Sequence, residues 1–226
     1  MKHSDVYRNN DVDEYVTPYE LALESVKLLV PNLEGFTPRL LDAGANTGVW
    51  GKAAREVFPN AYIAGVELMD MPKPEWYDDW YPNTNFLEWE LPSYWLFDAG
   101  IGNPPYSDRL TGKRRTIVDD FILHSLARIK FGGPLVQLLR TNFGHGIRRN
   151  STGLLSTNGP KEEYRCLPRP SFYGEDIRIQ RNSTNTHDYS VFKFISGKHY
   201  PYLLSYPLFW RSNDRRTGVS INPQGD

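Results

Sequence analysis

The segment from Leu40 to Glu67 restricts the fold of this chain more than any other. An apolar run, RLLDAG, leads into a turn carrying Gly44, Gly48 and Gly51, and the helical stretch KAAREVF follows. After Pro59-Asn60 a second apolar run, AYIAGVEL, ends on the acid Glu67. Strand, glycine turn, helix and strand in this order make one β-α-β unit, which packs only with parallel strands and a right-handed crossover. The expected fold class is therefore α/β, a doubly wound and mostly parallel sheet. Ligand sites in such sheets lie beyond the carboxyl ends of the strands.

The pattern extends in both directions. TPYELALESVKLLVP (17–31) predicts a helix of about three turns, with Thr17 as N-cap and Pro18 at the first helical position. A proline-rich connection, 71–84, holds Trp76, Trp80 and Tyr81, which cover either the edge of a pocket or the sheet. Tyr94 to Ile101 reads as a strand running into Gly102-Asn103-Pro104-Pro105-Tyr106. Consecutive prolines end regular pairing, so this peptide belongs at a strand's carboxyl edge. Residues 116–130 have a helical period and 134–139 read as an apolar strand, whereas 144–159 read as a long loop. SVFKFI (190–195) and YPYLLSYPLFW (200–210) are expected as antiparallel strands or edge pieces, giving the sheet an antiparallel C-terminal edge. Asp42, Glu67, Asn85 and Asn103 each follow a predicted strand, so they are expected on one edge.

At 226 residues, 39% of them hydrophobic, the chain suits one domain over 1–226, with 1–14 and 213–226 as loose termini. Cys166 is the single cysteine, which excludes an internal disulfide and a thiolate metal cluster. His124 and His145 have no partner at metal-ligand spacing, and Asp119-Asp120 and Glu162-Glu163 read as solvated acids; no metal is expected. There is no long apolar run and no apolar signal core, so no membrane association is expected and the predicted location is cytoplasmic. The net charge of −1 conceals a partition. Residues 1–112 carry eight Lys/Arg against eighteen Asp/Glu, net −10, and residues 113–226 carry eighteen against nine, net +9. A basic half of this kind suits a polyanion such as nucleic acid.

Three groups of residues carry candidate chemistry. The turn LDAGANTG (41–48) permits close backbone approach, but it is neither GxGxxG nor a phosphate-binding loop with its lysine. A cofactor bearing adenosine or an amino acid fits it; a purely structural strand-to-helix turn would use the same residues. Glu67, nineteen residues after Gly48, stands where a strand-end acid accepts from both hydroxyls of a ribose. In Asn103-Pro104-Pro105-Tyr106 the prolines lack N–H groups, so an amide oxygen and a rigid carbonyl form paired acceptors for one NH₂ group, followed by a ring able to stack on a planar base.

The pieces TPYELA (17–22), LDAGANTG (41–48), VEL (66–68), NF (85–86), NPPY (103–106) and GGPLVQLL (132–139) together resemble the Rossmann-like S-adenosylmethionine-dependent methyltransferases that modify adenine N6 in DNA. LPRPSFYG (167–174) is similar to an aromatic segment found beyond their catalytic half, often in phage-borne members. The resemblance spans residues 15–195 and is most specific before 106. It implies S-adenosylmethionine as cofactor, with Thr17 and Pro18 at its methionine end, Asp42 and the Gly44–Gly48 loop around its amino-acid portion, Glu67 on its ribose, and Asn85 and Phe86 around its adenine. It further implies that Asn103 and Pro104 hold the target amine and that Tyr106 stacks on a flipped base, with Phe172, the neighbour of Tyr173, as the second aromatic there. Apart from the resemblance, Lys113, Arg114 and Arg115, directly after the Asn-Pro-Pro-Tyr peptide, and Arg148 and Arg149 are candidate contacts to a nucleic-acid backbone, with ordinary surface charge as the alternative for each cluster.

The sequence departs from the family at two positions. Asn46 stands where many relatives carry glycine, and Asn tolerates left-handed angles better than most residues. Asn85 replaces a more usual aspartate and removes charge assistance at the adenine. About fifty residues follow Phe172, too few for a separate recognition domain, so a partner protein is one route to target specificity; the expected assembly is a monomer or weak homodimer. DNA is the expected partner. An RNA base amine, a protein glutamine amide, and a catalytically silent nucleic-acid-binding relative remain the alternatives.

Overall fold

The computed structural model describes residues 16–92, 94–106, 117–170, 172, 188–200 and 202–210. Both predicted termini, Lys113, Arg114, Arg115 and Tyr173 lie outside the described residues. Helix α1 (Tyr19–Lys27) and the short α2 (Val30–Leu33) lead into β1 (Arg39–Ala43); α3 (Val49–Val57) then crosses to β2 (Tyr62–Val66), parallel to β1. Beyond these come β3 (Asp79–Tyr81), β4 (Ala99–Gly102), α4 (Val118–Ala127), β5 (Pro134–Arg140), a 3-10 turn (Thr141–His145), α5 (Ile147–Ser151), α6 (Leu154–Thr157), β6 (Glu162–Leu167), β7 (Tyr189–Ile195) and β8 (Leu204–Phe209).

Among the described residues the strands form one sheet in the order β3-β2-β1-β4-β5-β7-β6-β8. The first five are parallel, and β7 runs antiparallel to both β5 and β6. The order reverses between β1 and β4, the position at which open α/β sheets open a crevice. β1, β2 and β4 are buried almost throughout, as expected of parallel strands covered on both faces. One face packs against α1 and α3 through Leu21, Val26, Trp50, Ala53, Ala54 and Ile63. The other is covered by α4 and by the loop carrying Phe86 and Trp89.

Several expectations are corrected. Pro18, not Thr17, is the N-cap of α1; its extended backbone (ψ 134°) begins the helix at Tyr19, and the first helix ends at Lys27 with α2 separate. The β4 strand begins at Ala99 rather than Tyr94, leaving only an isolated bridge between Phe97 and Ile129 ahead of it. The stretch expected as a loop, 144–159, contains α5 and α6. Glu162 and Glu163 are not solvated: they begin β6, where Glu162 accepts from Tyr164 and pairs with Lys161 and the buried Lys193. β8 is an edge strand, but parallel to β6.

No helix separates β2 from β3. Tyr77 instead fills the space beneath α3, where Gly48, Gly51 and Gly65 leave room for its ring. Trp80 packs beside it with ring centroids 5.0 Å apart and donates its indole N–H to Met71 O, so these aromatics cover the sheet. A Cβ on Gly51 would stand 2.3 Å from Tyr77 Cζ. Gly51→Ala is therefore expected to destabilise the protein by roughly 1–3 kcal/mol through overpacking, against the gain of about 1 kcal/mol that alanine brings to a helix. Urea unfolding tests this; an equal or higher midpoint would refute the packing described.

Candidate functional site

The carboxyl ends of β1, β2 and β4 bring the glycine turn, the strand-end acid and the Asn-Pro-Pro-Tyr peptide together. The turn is fastened to β2 by the amides of Gly44 and Ala45, which both donate to Val66 O (2.9 and 3.1 Å). Asn46 and Gly48 have positive φ, 47° and 83°, and Gly48 caps α3 from the left-handed region. Asn46 thus supports the turn where glycine was expected, as its tolerance of that region allows.

Glu67 braces the same turn. One carboxylate oxygen accepts from the amide of Asn46 at 2.6 Å and the other from that of Met69 at 2.9 Å, and the side chain is 7% exposed. A carboxylate offers about four lone-pair sites, so two amide donors leave capacity for further hydroxyls. The backbone of Glu67 accepts from Thr84, which sets Asn85 beside the site. Asn85 Oδ1 accepts from the Leu87 amide (3.1 Å), while Phe86 is buried between Phe121, Trp89 and the edge of His124.

Asp42 lies at the bottom of the turn with no solvent exposure. Its Oδ2 accepts the Tyr77 hydroxyl at 2.6 Å, whereas Oδ1 is buried without a partner. Burial pushes its carboxyl up to about 7; the nearby Glu67 adds to this, and the Tyr77 hydroxyl and the Gly51 amide oppose it. Burial and the Asp42 charge hold the Tyr77 hydroxyl well above its ordinary value.

Asn103 follows β4 directly. Its Nδ2 reaches the Thr17 hydroxyl at 3.4 Å, and that hydroxyl also accepts from the Trp50 indole N–H at 3.1 Å. The residue expected to cap α1 therefore ties the start of the helix to the Asn103 loop. Pro18 adjoins it and Pro104 is buried. A Cβ on Gly44 would stand 3.7 Å from Pro105 Cδ, so the two motifs are neighbours with about the width of a methyl group between them. Gly102 approaches Ala43 O and Asp42 Oδ1 equally closely (3.3 and 3.4 Å from an added Cβ).

The Tyr106 hydroxyl donates within a short network, 3.1 Å from Asn103 Oδ1 and 2.9 Å from Leu138 O. Its ring meets Tyr189 edge-on at 6.3 Å, and Tyr189 meets Phe172 at 4.6 Å. Phe172 is 6% exposed and reaches the site through Tyr189, which the sequence reading did not single out. Arg149, expected as a backbone contact, pairs with Asp119 at 2.8 Å and donates to Phe143 O. Asp119 is accordingly not a purely solvated acid. Arg148 is exposed on α5. Burial pushes the Cys166 thiol up to about 12, which leaves no reactive thiolate near neutral pH. No group of three metal-ligating side chains occurs among the described residues, and none of their helices is long and apolar enough to cross a membrane.

No protein-family model matches the sequence, and no curated protein sequence does. Solved structures match its fold. The methyltransferase subunit of a type I restriction-modification system from Streptococcus thermophilus superposes with a TM-score of 0.64 at 15% identity, over 86% of this chain and 47% of that one. A candidate class I S-adenosylmethionine-dependent methyltransferase from Listeria monocytogenes gives 0.63 at 12%, over 85% and 65%. The 1,6-didemethyltoxoflavin-N1-methyltransferase of Burkholderia thailandensis, bound to S-adenosylhomocysteine, gives 0.51 at 17%, over 79% and 80%. The chain thus spans less than two thirds of the length of the first two. Sheet order, the antiparallel β7 and these superpositions together identify its architecture as the Rossmann-like fold of the class I methyltransferases.

Proposed function

We propose that the chain transfers a methyl group from S-adenosylmethionine to the exocyclic N6 amine of adenine in DNA. The observation that carries this reading is the position of Asn103-Pro104-Pro105-Tyr106: it leaves β4 at the reversal of strand order, lies next to the glycine turn, and is fastened by the Tyr106 hydroxyl. The match to a restriction-modification methyltransferase subunit supports a nucleic-acid substrate; the toxoflavin enzyme shows that the same architecture also serves a small molecule.

The residues present fit the cofactor. Asp42, the Gly44–Gly48 turn and Thr17 with Pro18 would surround its amino-acid end, Glu67 its ribose, and Asn85 and Phe86 its adenine. When bound, the cofactor supplies an electrophilic methyl on a sulfonium. Asn103 Oδ1 and the Pro104 carbonyl would accept hydrogen bonds from the two N6 hydrogens, shift N–H bond density toward nitrogen and orient its lone pair toward the cofactor side of the site. An amine methylated there would carry a positive charge and would release one proton to solvent, since Asn103 and the Pro104 carbonyl accept hydrogen bonds but are too weakly basic to take the proton up. This is positioning and electrostatic preorganisation, without a covalent enzyme intermediate. In a duplex the amine is engaged in pairing, so the base must be flipped, and the Tyr106 ring would replace its lost stacking.

Incubating the protein with labelled methyl donor and, separately, duplex DNA, single-stranded DNA, RNA and protein extract tests the reading. The expected result is label in DNA, recovered after nucleoside digestion as N6-methyladenine. Label in RNA alone or in protein alone would replace the substrate, and 5-methylcytosine would overturn the chemistry.

A further inference from the structure

At the carboxyl end of β5, beside the Asn103 peptide, stands a guanidinium with no anionic partner among the described residues. Arg140 is half-buried, its Nε is shielded from solvent and bonds to nothing, and its Cζ lies 5.1 Å from the centroid of the Tyr106 ring. Neighbouring cations are satisfied differently. Arg149 pairs with Asp119, and Asp188, next to the strand partner of Arg140, is taken by Arg169 at 2.6 Å. A guanidinium cannot shed its proton to relieve such a deficit, because it is always charged near neutral pH. Among the described residues the buried Nε has no acceptor, and the charge of the half-buried guanidinium is answered by no carboxylate.

We infer that Arg140 holds a phosphate of the substrate backbone beside the target base, which makes the substrate a polynucleotide rather than a free nucleoside or a peptide amide. The inference rests on the reading of Asn103 and Tyr106 as the target-amine site. Three observations carry it. Arg140 sits over the ring proposed to stack on the base, so a nucleotide held there would bring its sugar-phosphate toward the guanidinium. Its planar fork of donors matches two phosphate oxygens, a geometry a lysine cannot reproduce. Among the described residues its charge is answered by no carboxylate, and neither a glutamine amide nor free adenosine carries an anion that would answer it.

The test measures methyl transfer by the full chain to a short oligonucleotide with one adenine, made as DNA and as RNA. Each is used as the plain phosphodiester and with one neutral methylphosphonate on either side of the adenine. Arg140→Ala is expected to lower kcat/KM on the phosphodiester about 10- to 100-fold, the worth of a charge-assisted hydrogen bond. The loss should fall mainly on KM, with cofactor affinity and the unfolding midpoint unchanged. One methylphosphonate position should lower wild-type kcat/KM by a similar factor and cost Arg140→Ala nothing further. Arg140→Lys should fall between the two, since charge is kept and the fork is lost; it also serves if Arg140→Ala does not fold. Full activity in Arg140→Ala, or equal methylphosphonate losses in wild type and variant, would overturn the role of Arg140 alone. Absence of transfer by the wild type to either oligonucleotide would overturn the reading of Asn103, and this inference with it.

Discussion

Asn103→Ala is expected to cut methyl transfer to adenine about 100- to 1,000-fold, the typical effect of deleting one preorganised hydrogen-bonding group from a reacting centre. Affinity for S-adenosylmethionine should stay within about twofold, because the backbone of the glycine turn and Glu67 are untouched. The size of the effect follows from the surroundings of Asn103. Its Oδ1 is held by the Tyr106 hydroxyl and its Nδ2 points to Thr17, so the acceptor is aimed before substrate arrives and little reorganisation remains for the reaction itself. The measurement is single-turnover transfer alongside calorimetric titration of the cofactor. A variant that transfers methyl at the wild-type rate would remove Asn103 from the reaction, whereas equal losses in rate and cofactor affinity would make its role one of shaping the cofactor pocket. Tyr106 shares in this arrangement: its hydroxyl also donates to Leu138 O, so the ring is fixed to β5 as well as to the Asn103 loop.

The parts of the fold legible in the sequence are those in which residue type follows directly from local geometry. RLLDA and YIAGV are buried on both sides and therefore apolar throughout, and the positive φ angles of Gly44 and Gly48 require residues without a Cβ penalty. Asn103-Pro104-Pro105 could only end a strand. What stayed hidden depends on contacts far apart in sequence. EEYRCL resembles a polar loop because Glu162 is neutralised by Lys161 and Lys193, and Lys193 also donates to Leu28 O across the molecule. Tyr77 sits in a proline-rich connection without periodicity; only the space left by Gly48, Gly51 and Gly65 explains its place. The ion pair of Arg149 is not legible in the sequence because its partner, Asp119, lies on a different helix. Thr17 was read one position too far into the helix, since its hydroxyl serves Trp50 and Asn103 rather than the backbone of α1.

Asp42 makes stability depend on pH in a direction opposite to that of most buried carboxylates in ion pairs. Its folded-state value is raised from the ordinary 3.8 to about 7, chiefly by burial. Below 3.8 both folded and unfolded chains hold the proton, and the contribution of Asp42 is fully present. Between 3.8 and about 7 the folded chain keeps the proton and the unfolded chain has released it, so raising the pH favours unfolding. Above 7 the loss is complete, on the order of 4 kcal/mol for this group. Asp42→Asn removes the titration yet retains an oxygen to accept the Tyr77 hydroxyl, so it should be the more stable protein at pH 8 and lose most of that advantage by pH 4.5. Urea midpoints of both proteins at pH 4.5, 6 and 8 isolate the effect, because every other titrating group is common to the two. Parallel curves would show that the Asp42 carboxyl titrates alike in the folded and unfolded chains, and a variant less stable at pH 8 would show that the anion itself is needed beneath the glycine turn. The expected divergence instead would establish that the floor of the candidate cofactor site is a neutral carboxyl over the pH range below 7, held so by its exclusion from water and by the nearby Glu67.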